Sequence, residues 1–282
     1  METAIVLGTF DGLHAGHRAV IGAASGYYTV AVTFDIPPKS FFGDNAGLLM
    51  LPEDKKEGLK KLGVGEIFTL DFQKVSGMSE DEFFGFIKSR YSPSLIVCGF
   101  NYRFGKGARG DAAALAAMCE KAGIEFKCVE SVGEGEPVSS SALRSMIAGG
   151  EVARANLEIL GGFGFTAPVL HGDARGKGFG FPTANQAFPE KLVKPLFGVY
   201  KSSISVDGIE YESITNVGIR PTYKTDFIGC ETYIKGFSDS IYSKQATLKL
   251  IEFVRKEERF SSSEQLENAV KADIKSVLGI EL

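Results

Sequence analysis

The sequence predicts a doubly wound α/β domain followed by a β-barrel domain that ends in a helix. Over residues 3–130, short β-branched apolar runs alternate with amphipathic or alanine-rich segments, the pattern of βα units around a parallel sheet. Between residues 161 and 254, glycine-punctuated segments alternate apolar and polar residues, which indicates an antiparallel barrel or sandwich. The 282 residues are enough for two domains, at roughly 150 residues each. One very large domain is the alternative.

Apolar runs in the first half predict the strands of the parallel sheet: Thr3–Leu7, Tyr28–Phe34, Glu66–Leu70, Ser94–Cys98 and Ile124–Val129. The segments between them predict helices: Pro52–Leu62, Ser79–Tyr91 and Asp111–Ala122. Ser79 and Asp111 are suited to capping because their side-chain oxygens can accept hydrogen bonds from free backbone N–H groups.

In the second half, Val199–Val206 and Thr247–Phe253 are predicted strands. Ser263–Leu278 has apolar residues at helical spacing behind a serine, so it predicts a helix packed against the barrel. Residues 139–160 predict two short helices broken at Gly149-Gly150. We therefore place the boundary near residue 160, which gives domains 1–160 and 161–282.

The composition argues against several classes of function. With 31 basic and 35 acidic residues, a net charge of -4, the chain lacks the positive charge of a general nucleic-acid binder. The N-terminal residues do not resemble a secretory signal, and no apolar run approaches the roughly 20 residues of a membrane span. We expect a cytoplasmic protein with no nucleic-acid or membrane partner. The four cysteines form no Cys-x-x-Cys pair, so we expect buried free thiols rather than a zinc or redox site.

The segment that follows the first predicted strand is the most informative one: Gly8-Thr9-Phe10-Asp11-Gly12-Leu13-His14-Ala15-Gly16-His17. Ligands bind at the carboxyl edge of such sheets, and the helix that follows points free N–H groups at an anion. The glycines would let phosphates approach the backbone. This segment is not a Walker loop, since no Gly-Lys-Ser/Thr follows. His14 and His17, two of the three histidines, lie on one side of the first turn, where they can stabilise developing charge.

Alone, a histidine pair at this spacing is more often an exposed polar pair or half a metal site. The strand-to-helix context and the glycines favour a nucleotide site. The predicted contacts from this loop are Gly8, Phe10, Asp11 and Gly16.

Two further segments are predicted to complete the nucleotide site. Ser139-Ser140-Ser141-Ala142-Leu143-Arg144 begins a helix with hydroxyls and a guanidinium, which suit β- and γ-phosphates. A capped surface helix is the alternative for this segment. Asn101 lies in a loop rich in glycine, aromatic and basic residues after the fourth predicted strand.

A second phosphate-binding loop is predicted over residues 171–185. Gly176, Lys177 and Gly178 precede a predicted Pro-Thr-Ala-Asn turn, in which Thr183 and Asn185 offer the oxygen ligands that Mg2+ accepts. A simple hairpin connection is the alternative, because glycine-rich loops with basic residues are common.

The loop His14-x-x-His17 resembles the signature of HxGH nucleotidyltransferases. Together with Ser-Ser-Ser-x-Leu-Arg, Gly-Phe-Pro-Thr-Ala-Asn and Asn216-Val217-Gly218-Ile219-Arg220-Pro221-Thr222, the chain is similar over nearly its whole length to prokaryotic bifunctional riboflavin kinase/FAD synthetases. The resemblance implies a nucleotidyltransferase-type domain, a six-stranded flavin kinase barrel, Mg2+, and the substrates ATP, riboflavin and FMN. It also implies that Thr183 and Asn185 belong to a Mg-ATP turn and that Glu231 is a catalytic glutamate.

The chemistry of the two reactions supports this division. Riboflavin attacks through an alcohol that is un-ionised at neutral pH, so a base such as Glu231 is useful. FMN attacks through a phosphate that is already ionised, so positioning and hydrogen-bond donors suffice. His14, His17 and Arg144 are therefore expected to act in adenylyl transfer, and Tyr200 and Arg220 are candidate flavin contacts.

Several residues depart from the family pattern. Ile36-Pro37-Pro38 lacks the family's histidine, and Asn101 replaces an aspartate, whereas Tyr233 and Ser243 are tolerable changes in the kinase half. Two alternatives therefore stay open: a monofunctional riboflavin kinase with a degenerate first domain, and a non-catalytic flavin-binding protein. The sequence leaves the oligomeric state open.

Overall fold

The computed structural model describes residues 2–43, 46–132, 138–170, 183–220, 227–237 and 241–281. Its contacts divide the chain into two compact units. The first comprises residues 1–142 and 158–160, and the second comprises residues 143–157 and 161–282.

The first unit is built on a parallel sheet with helices on both faces. Its strands are β1 (Thr3–Leu7), β2 (Tyr28–Phe34), β3 (Glu66–Leu70), β4 (Leu95–Gly99), β5 (Arg103–Phe104), β6 (Gly110–Asp111) and β7 (Glu125–Val129). Its helices are α1 (Ala15–Gly22), α2 (Pro52–Lys61), α3 (Phe72–Val75), α4 (Glu80–Tyr91) and α5 (Ala112–Ala122). The five longer strands are parallel in the order β3-β2-β1-β4-β7, and β5 and β6 form a small separate pair. The predicted parallel sheet is therefore confirmed.

Strand β1 lies at the point where the strand order reverses, since β2 pairs with one side of it and β4 with the other. Its alternate side chains are buried in two different apolar clusters, Ile5 and Leu7 in one, Ala4 and Val6 in the other. Both faces of the sheet are thus covered, as a parallel sheet requires. The carboxyl end of β1 opens at the reversal, where α/β sheets bind ligands.

The predicted caps are confirmed. The Ser79 hydroxyl accepts a hydrogen bond from the Glu82 N–H at 3.2 Å, and the Glu82 carboxylate accepts one from the Ser79 N–H at 2.7 Å. Asp111 caps α5 by accepting from the Ala114 N–H at 2.9 Å. Each such cap contributes about 1 kcal/mol to helix stability.

The second unit is an antiparallel sheet with helices. Helix α6 (Ser140–Ala148) starts in the first unit and ends in the second. The remaining elements are α7 (Val152–Asn156), β8 (Gly164–Pro168), β9 (Thr183–Ala187), β10 (Gly198–Val206), β11 (Ile209–Arg220), β12 (Phe227–Ile234), β13 (Gln245–Lys256) and α8 (Ser263–Leu278). The strand order is β8-β13-β10-β11-β12-β9. A hydrogen bond of 2.7 Å from the Leu170 N–H to the Asn185 carbonyl joins the two edges of the sheet, so the predicted barrel is confirmed.

Helix α8 lies against the outer face of this barrel. Ile274 and Leu278 pack there on Val199 and Ile214, as the helical spacing predicts. The inner face carries a row of buried hydroxyls: Ser202 Oγ lies 2.8 Å from Thr215 Oγ1, which lies 2.9 Å from Thr232 Oγ1. The two faces of β11 and β12 thus have different neighbours, helix α8 outside and polar side chains inside.

One local prediction is wrong. Thr183–Asn185 was expected in a turn, but these residues begin strand β9, which pairs with β12. The backbone pairing of β9 with β12 overrides the turn propensity of Pro-Thr-Ala-Asn. Among the helices that the structure describes, none is long and apolar enough to cross a membrane.

Candidate active sites

The first candidate site is the loop between β1 and α1. His14 is the N-cap residue of α1, and His17 lies in its first turn. Their rings stack with centroids 3.8 Å apart and planes at 27°, the side-by-side arrangement that their spacing predicts. His14 is buried, with 8% of its surface exposed, whereas His17 is partly exposed.

Both imidazoles are neutral at pH 7. Burial, and then the positive charge of Arg18, lower the pKa of His14 to about 4. Burial, and then the charges of His14 and Lys55, hold the pKa of His17 well below its usual range. The Nδ1 atoms of both rings are buried and have no hydrogen-bond partner within the described parts of the chain. Because buried polar atoms are rarely left unpaired, these two nitrogens suit a polar ligand.

Phe10 packs against the imidazole pair. Its buried ring meets the His17 ring edge-on, with centroids 5.4 Å apart. A Cβ at Gly8 would lie 3.0 Å from the Phe10 ring, and a Cβ at Gly16 would lie 3.3 Å from His14 Cε1. Gly8 therefore makes room for the Phe10 ring, and Gly16 for the His14 ring. The sequence alone predicts only that these glycines let phosphates approach the backbone.

Asp11 acts as a brace for the same loop. Its carboxylate oxygens accept hydrogen bonds from the Leu49 N–H at 3.0 and 3.2 Å. Its backbone carbonyl accepts a hydrogen bond of 3.0 Å from the Ser140 hydroxyl. Ser140 thus lies beside the loop, and its hydroxyl proton is donated to the Asp11 carbonyl in this structure.

The other predicted residues of this site are placed less decisively. Ser139 accepts a hydrogen bond from the Ala142 N–H at 3.2 Å, and Ser141 is exposed. Arg144 falls in the second unit, so its contact with the loop stays a prediction. Asn101 is exposed directly after β4, and its Oδ1 would lie 3.5 Å from a Cβ at Gly99. Because β4 is parallel to β1, Asn101 and the His14 loop follow carboxyl ends of neighbouring strands.

Lys55 is a component that the sequence interpretation missed. It lies on α2, and only 3% of its surface is exposed. Its Nζ donates a hydrogen bond of 3.3 Å to the Thr9 carbonyl and another to the Phe34 carbonyl. In the sequence Glu-Asp-Lys-Lys-Glu it is indistinguishable from an exposed surface charge.

The second candidate site lies on the outer face of the barrel. In the sheet register Glu231 on β12 is directly opposite Asn185 on β9 and Asn216 on β11. Thr183 is opposite Tyr233, two residues further along β12, so it is on the same face. The structure therefore brings together the three residues predicted for the kinase reaction.

One charged side chain contacts Glu231, and another contacts its cross-strand neighbour Asn216. Arg220 Nη2 lies 3.2 Å from Glu231 Oε2. The Arg220 side chain crosses Gly229, where a Cβ would lie 2.6 Å from its Cγ. Glu257, which the sequence interpretation also missed, accepts a hydrogen bond of 3.2 Å from Asn216 Nδ2. A Cβ at Gly218 would lie 2.0 Å from the Glu257 carboxylate, so this approach requires glycine.

Tyr200 does not join this group. It is directly opposite Thr215, one residue from Asn216, and so it faces the inside of the barrel. It is fully buried, and its hydroxyl donates to the Leu196 carbonyl. Its contact with a flavin stays a prediction, as do the roles of Gly176, Lys177 and Gly178, which lie outside the described residues.

The two departures in the second unit have local explanations. Tyr233 packs in the cluster beneath α8. Ser243 has a φ of +64°, the left-handed conformation that favours the glycine expected there.

Fold and sites together define a transferase of two parts. One part is a parallel α/β unit of nucleotidyltransferase type with a paired-imidazole loop. The other is an antiparallel barrel with a carboxylate beside hydroxyl and amide oxygens.

The comparisons with known proteins identify the family. The FAD synthetase family model matches residues 1–142, and the riboflavin kinase model matches residues 162–280. The bifunctional riboflavin kinase/FMN adenylyltransferase of Listeria monocytogenes is 33% identical over 93% of this chain and 87% of the relative. That of Bacillus subtilis is 27% identical over 96% of this chain and 90% of the relative. The chain belongs to the bifunctional riboflavin kinase/FMN adenylyltransferase family.

A solved structure from Streptococcus pneumoniae, described as a macrolide-efflux protein, has the same fold over almost the whole chain. Its TM-score is 0.88 and its identity 29%, covering 99% of this chain and 95% of that one.

Proposed function

We propose that this chain phosphorylates riboflavin to FMN with ATP and then adenylates FMN to FAD with release of pyrophosphate, in the cytoplasm. The observation that carries the proposal is that each half of the chain matches one family model and contains its own polar cluster. Each half would bind its own ATP.

In the kinase reaction, Glu231 is the proposed base. It accepts the proton of the riboflavin terminal hydroxyl while that oxygen bonds to the γ-phosphorus of ATP. The bond from the γ-phosphorus to the β,γ-bridging oxygen breaks, and ADP leaves with the electron pair. Arg220, which contacts Glu231 at 3.2 Å, orients the carboxylate and can also contact the transferred phosphate.

Thr183 and Asn185 fit a magnesium ion in their chemistry. The Asn185 Nδ2 donates a hydrogen bond of 3.4 Å to the Thr183 carbonyl, which leaves the amide oxygen as the ligating atom. Hydroxyl and amide oxygens are hard ligands, and Mg2+ is commonly held by few protein oxygens together with substrate phosphates. When bound, the ion would neutralise phosphate charge during the transfer.

In the adenylyl reaction no base is required. An ionised oxygen of the FMN phosphate bonds to the α-phosphorus of ATP, and the bond to the α,β-bridging oxygen breaks to release pyrophosphate. His14 and His17 would donate hydrogen bonds to the phosphate oxygens as charge shifts onto the leaving group. The free main-chain N–H groups at the start of α1 would be further donors to the same phosphates.

Separate half-reactions test the proposal. The purified protein is given either riboflavin or FMN with ATP and Mg2+, and FMN, FAD and pyrophosphate are measured. We expect FMN from riboflavin, and FAD with equal pyrophosphate from FMN. A protein that makes FMN but no FAD would instead be a monofunctional riboflavin kinase, the alternative favoured by the missing histidine at Ile36-Pro37-Pro38. Flavin binding without either product would contradict both assignments.

A further inference from the structure

The neutral imidazoles leave a question of charge at the first site. The proposed reaction brings a flavin phosphate and a triphosphate together, so positive charge is needed near the loop. His14 and His17 supply N–H donors but no formal charge at pH 7. Arg18 supplies one positive charge beside His14, and its Nη1 donates to the carbonyls of Leu13 at 3.1 Å and Glu158 at 3.0 Å.

Lys55 places a buried ammonium group beside the loop. Its two hydrogen bonds reach the carbonyl of Thr9, inside the loop, and the carbonyl of Phe34, the last residue of β2. A single side chain from α2 therefore joins the carboxyl ends of two adjacent parallel strands. It also lies close enough to His17 to contribute to the depression of that imidazole's pKa.

Burying an ammonium group is costly unless it is paired and hydrogen-bonded. Burial lowers the pKa of Lys55, and the carboxylates of Asp11 and Asp35 oppose that change by favouring the charged form. Backbone carbonyls accept but do not donate, so both hydrogen bonds require the protons of Nζ. An uncharged donor could make the same two hydrogen bonds between the strand ends. The carboxylates of Asp11 and Asp35, however, favour a positively charged side chain at position 55.

We propose that Lys55 is a positioning residue of the adenylyl-transfer site, which ties the imidazole loop to the end of β2 and supplies positive charge beside His17. The inference rests on the proposed FMN adenylyltransferase activity of the first unit. It adds a residue and a role that neither the histidine motif nor the serine-rich helix provides.

The activity test uses Lys55→Met, with Lys56→Met as the matched control. Lys56 is the next residue on α2, is half-exposed and contacts Asp35 at 3.5 Å. We expect Lys55→Met to lower kcat for FAD synthesis roughly 100-fold, the cost of misplacing reacting groups by about 1 Å, with a smaller change in KM. Riboflavin phosphorylation by the same molecules should stay within twofold of the unmodified chain, which reports on the second unit only. Circular dichroism and thermal unfolding that match the unmodified chain report that the first unit, which contains Lys55, is folded.

A second variant separates the positive charge of Lys55 from its hydrogen bonds to the two strand ends. Lys55→Gln keeps amide donors for the carbonyls but removes the positive charge, and the Thr33 hydroxyl still donates to Thr9 at 3.0 Å. We expect Lys55→Gln to lose FAD synthesis at least about tenfold, because a unit charge a few ångströms away interacts strongly at low dielectric. FAD synthesis within threefold of the unmodified chain in this variant would overturn the charge role.

A spectroscopic readout is independent of turnover. The groups that act on His17 are His14 on the same turn and Lys55 on α2, while Asp11, Asp35 and Lys56 act on Lys55. In NMR titrations, removing the Lys55 charge should raise the pKa of His17 modestly, because burial and then His14 are the larger causes of its depression, and should change the pKa of His14 less. Lys56→Met should change neither pKa. An unchanged pKa of His17 in Lys55→Met and Lys55→Gln would contradict the proposal.

The failures of the two proposals are distinguishable. If the unmodified chain makes no FAD, the proposed adenylyltransferase function itself is wrong. If it makes FAD and Lys55→Met makes FAD at a rate within threefold, only the assignment of Lys55 is wrong.

Discussion

The two units place polar groups for phosphate chemistry in opposite ways. In the first, two stacked neutral imidazoles, of which His14 is buried and His17 partly exposed, lie at the carboxyl edge of a parallel sheet. In the second, Glu231 and Arg220 form an ion pair on the outer face of a barrel, with side chains 42% and 30% exposed. In the proposed mechanism, the difference follows from the two nucleophiles. An alcohol needs a base that can exchange its proton, whereas an ionised phosphate needs no base and relies on hydrogen-bond donors and positive charge held in a fixed position.

The largest expected effect is on the kinase site. Glu231→Gln keeps the size of the side chain but removes its basicity, so riboflavin phosphorylation should fall about 1,000-fold, within the range for a general base. Measured on the same preparation, FAD synthesis from FMN should stay within twofold. A riboflavin phosphorylation rate within a few-fold of the unmodified chain would show that Glu231 is not the base.

The next largest effect is on the imidazole pair. His14→Ala removes one donor to the phosphate oxygens, so FAD synthesis should fall roughly 100- to 1,000-fold, as for single oxyanion donors. Riboflavin phosphorylation is the internal control. Normal FAD synthesis by His14→Ala would contradict the role of this loop in catalysis.

The buried histidine also predicts a pH dependence of stability. The folded-state pKa of His14 is about 4 and its ordinary value is 6.5, so between these values the unfolded chain binds a proton that the folded chain does not. The free energy of unfolding should therefore fall as pH decreases from about 6.5 to about 4, by about 3 kcal/mol for this group. Denaturant unfolding at several pH values measures it, and His14→Asn should flatten the slope. An unchanged slope in that variant would assign the effect to other groups.

The smallest effect concerns the backbone of the second unit. Ser243 is held at a φ of +64°, a conformation that costs a non-glycine residue about 1 kcal/mol more than glycine. Ser243→Gly should raise the Tm by a few degrees, whereas Ser243→Ala, which keeps a Cβ, should not. Equal Tm values for both variants would show that the left-handed conformation stores no strain.

The regular elements were predictable because their patterns are local. The ranges Thr3–Leu7, Tyr28–Phe34, Glu66–Leu70 and Ser263–Leu278 agree with the structure at both ends. Their burial repeats with the period of a strand or a helix, which the sequence displays directly.

The site was predictable only in part, because several of its features depend on tertiary contacts. Lys55 belongs to a run of charges, and only the position of α2 over the strand ends buries it. Glu257 accepts a hydrogen bond from Asn216, which lies 41 residues earlier in the sequence, so no local spacing predicts this contact. Tyr200 is a predicted flavin contact, but the register that turns its side chain into the barrel is visible only once the strands are paired.

A complementation assay tests most directly whether one chain contains two independent sites. His14→Ala should still convert riboflavin to FMN, and Glu231→Gln should still convert FMN to FAD. Supplied with riboflavin, ATP and Mg2+, neither variant alone should form FAD at an appreciable rate. We expect an equimolar mixture of the two variants to restore FAD formation. A mixture as inactive as its components would contradict the division of the two reactions between the two units.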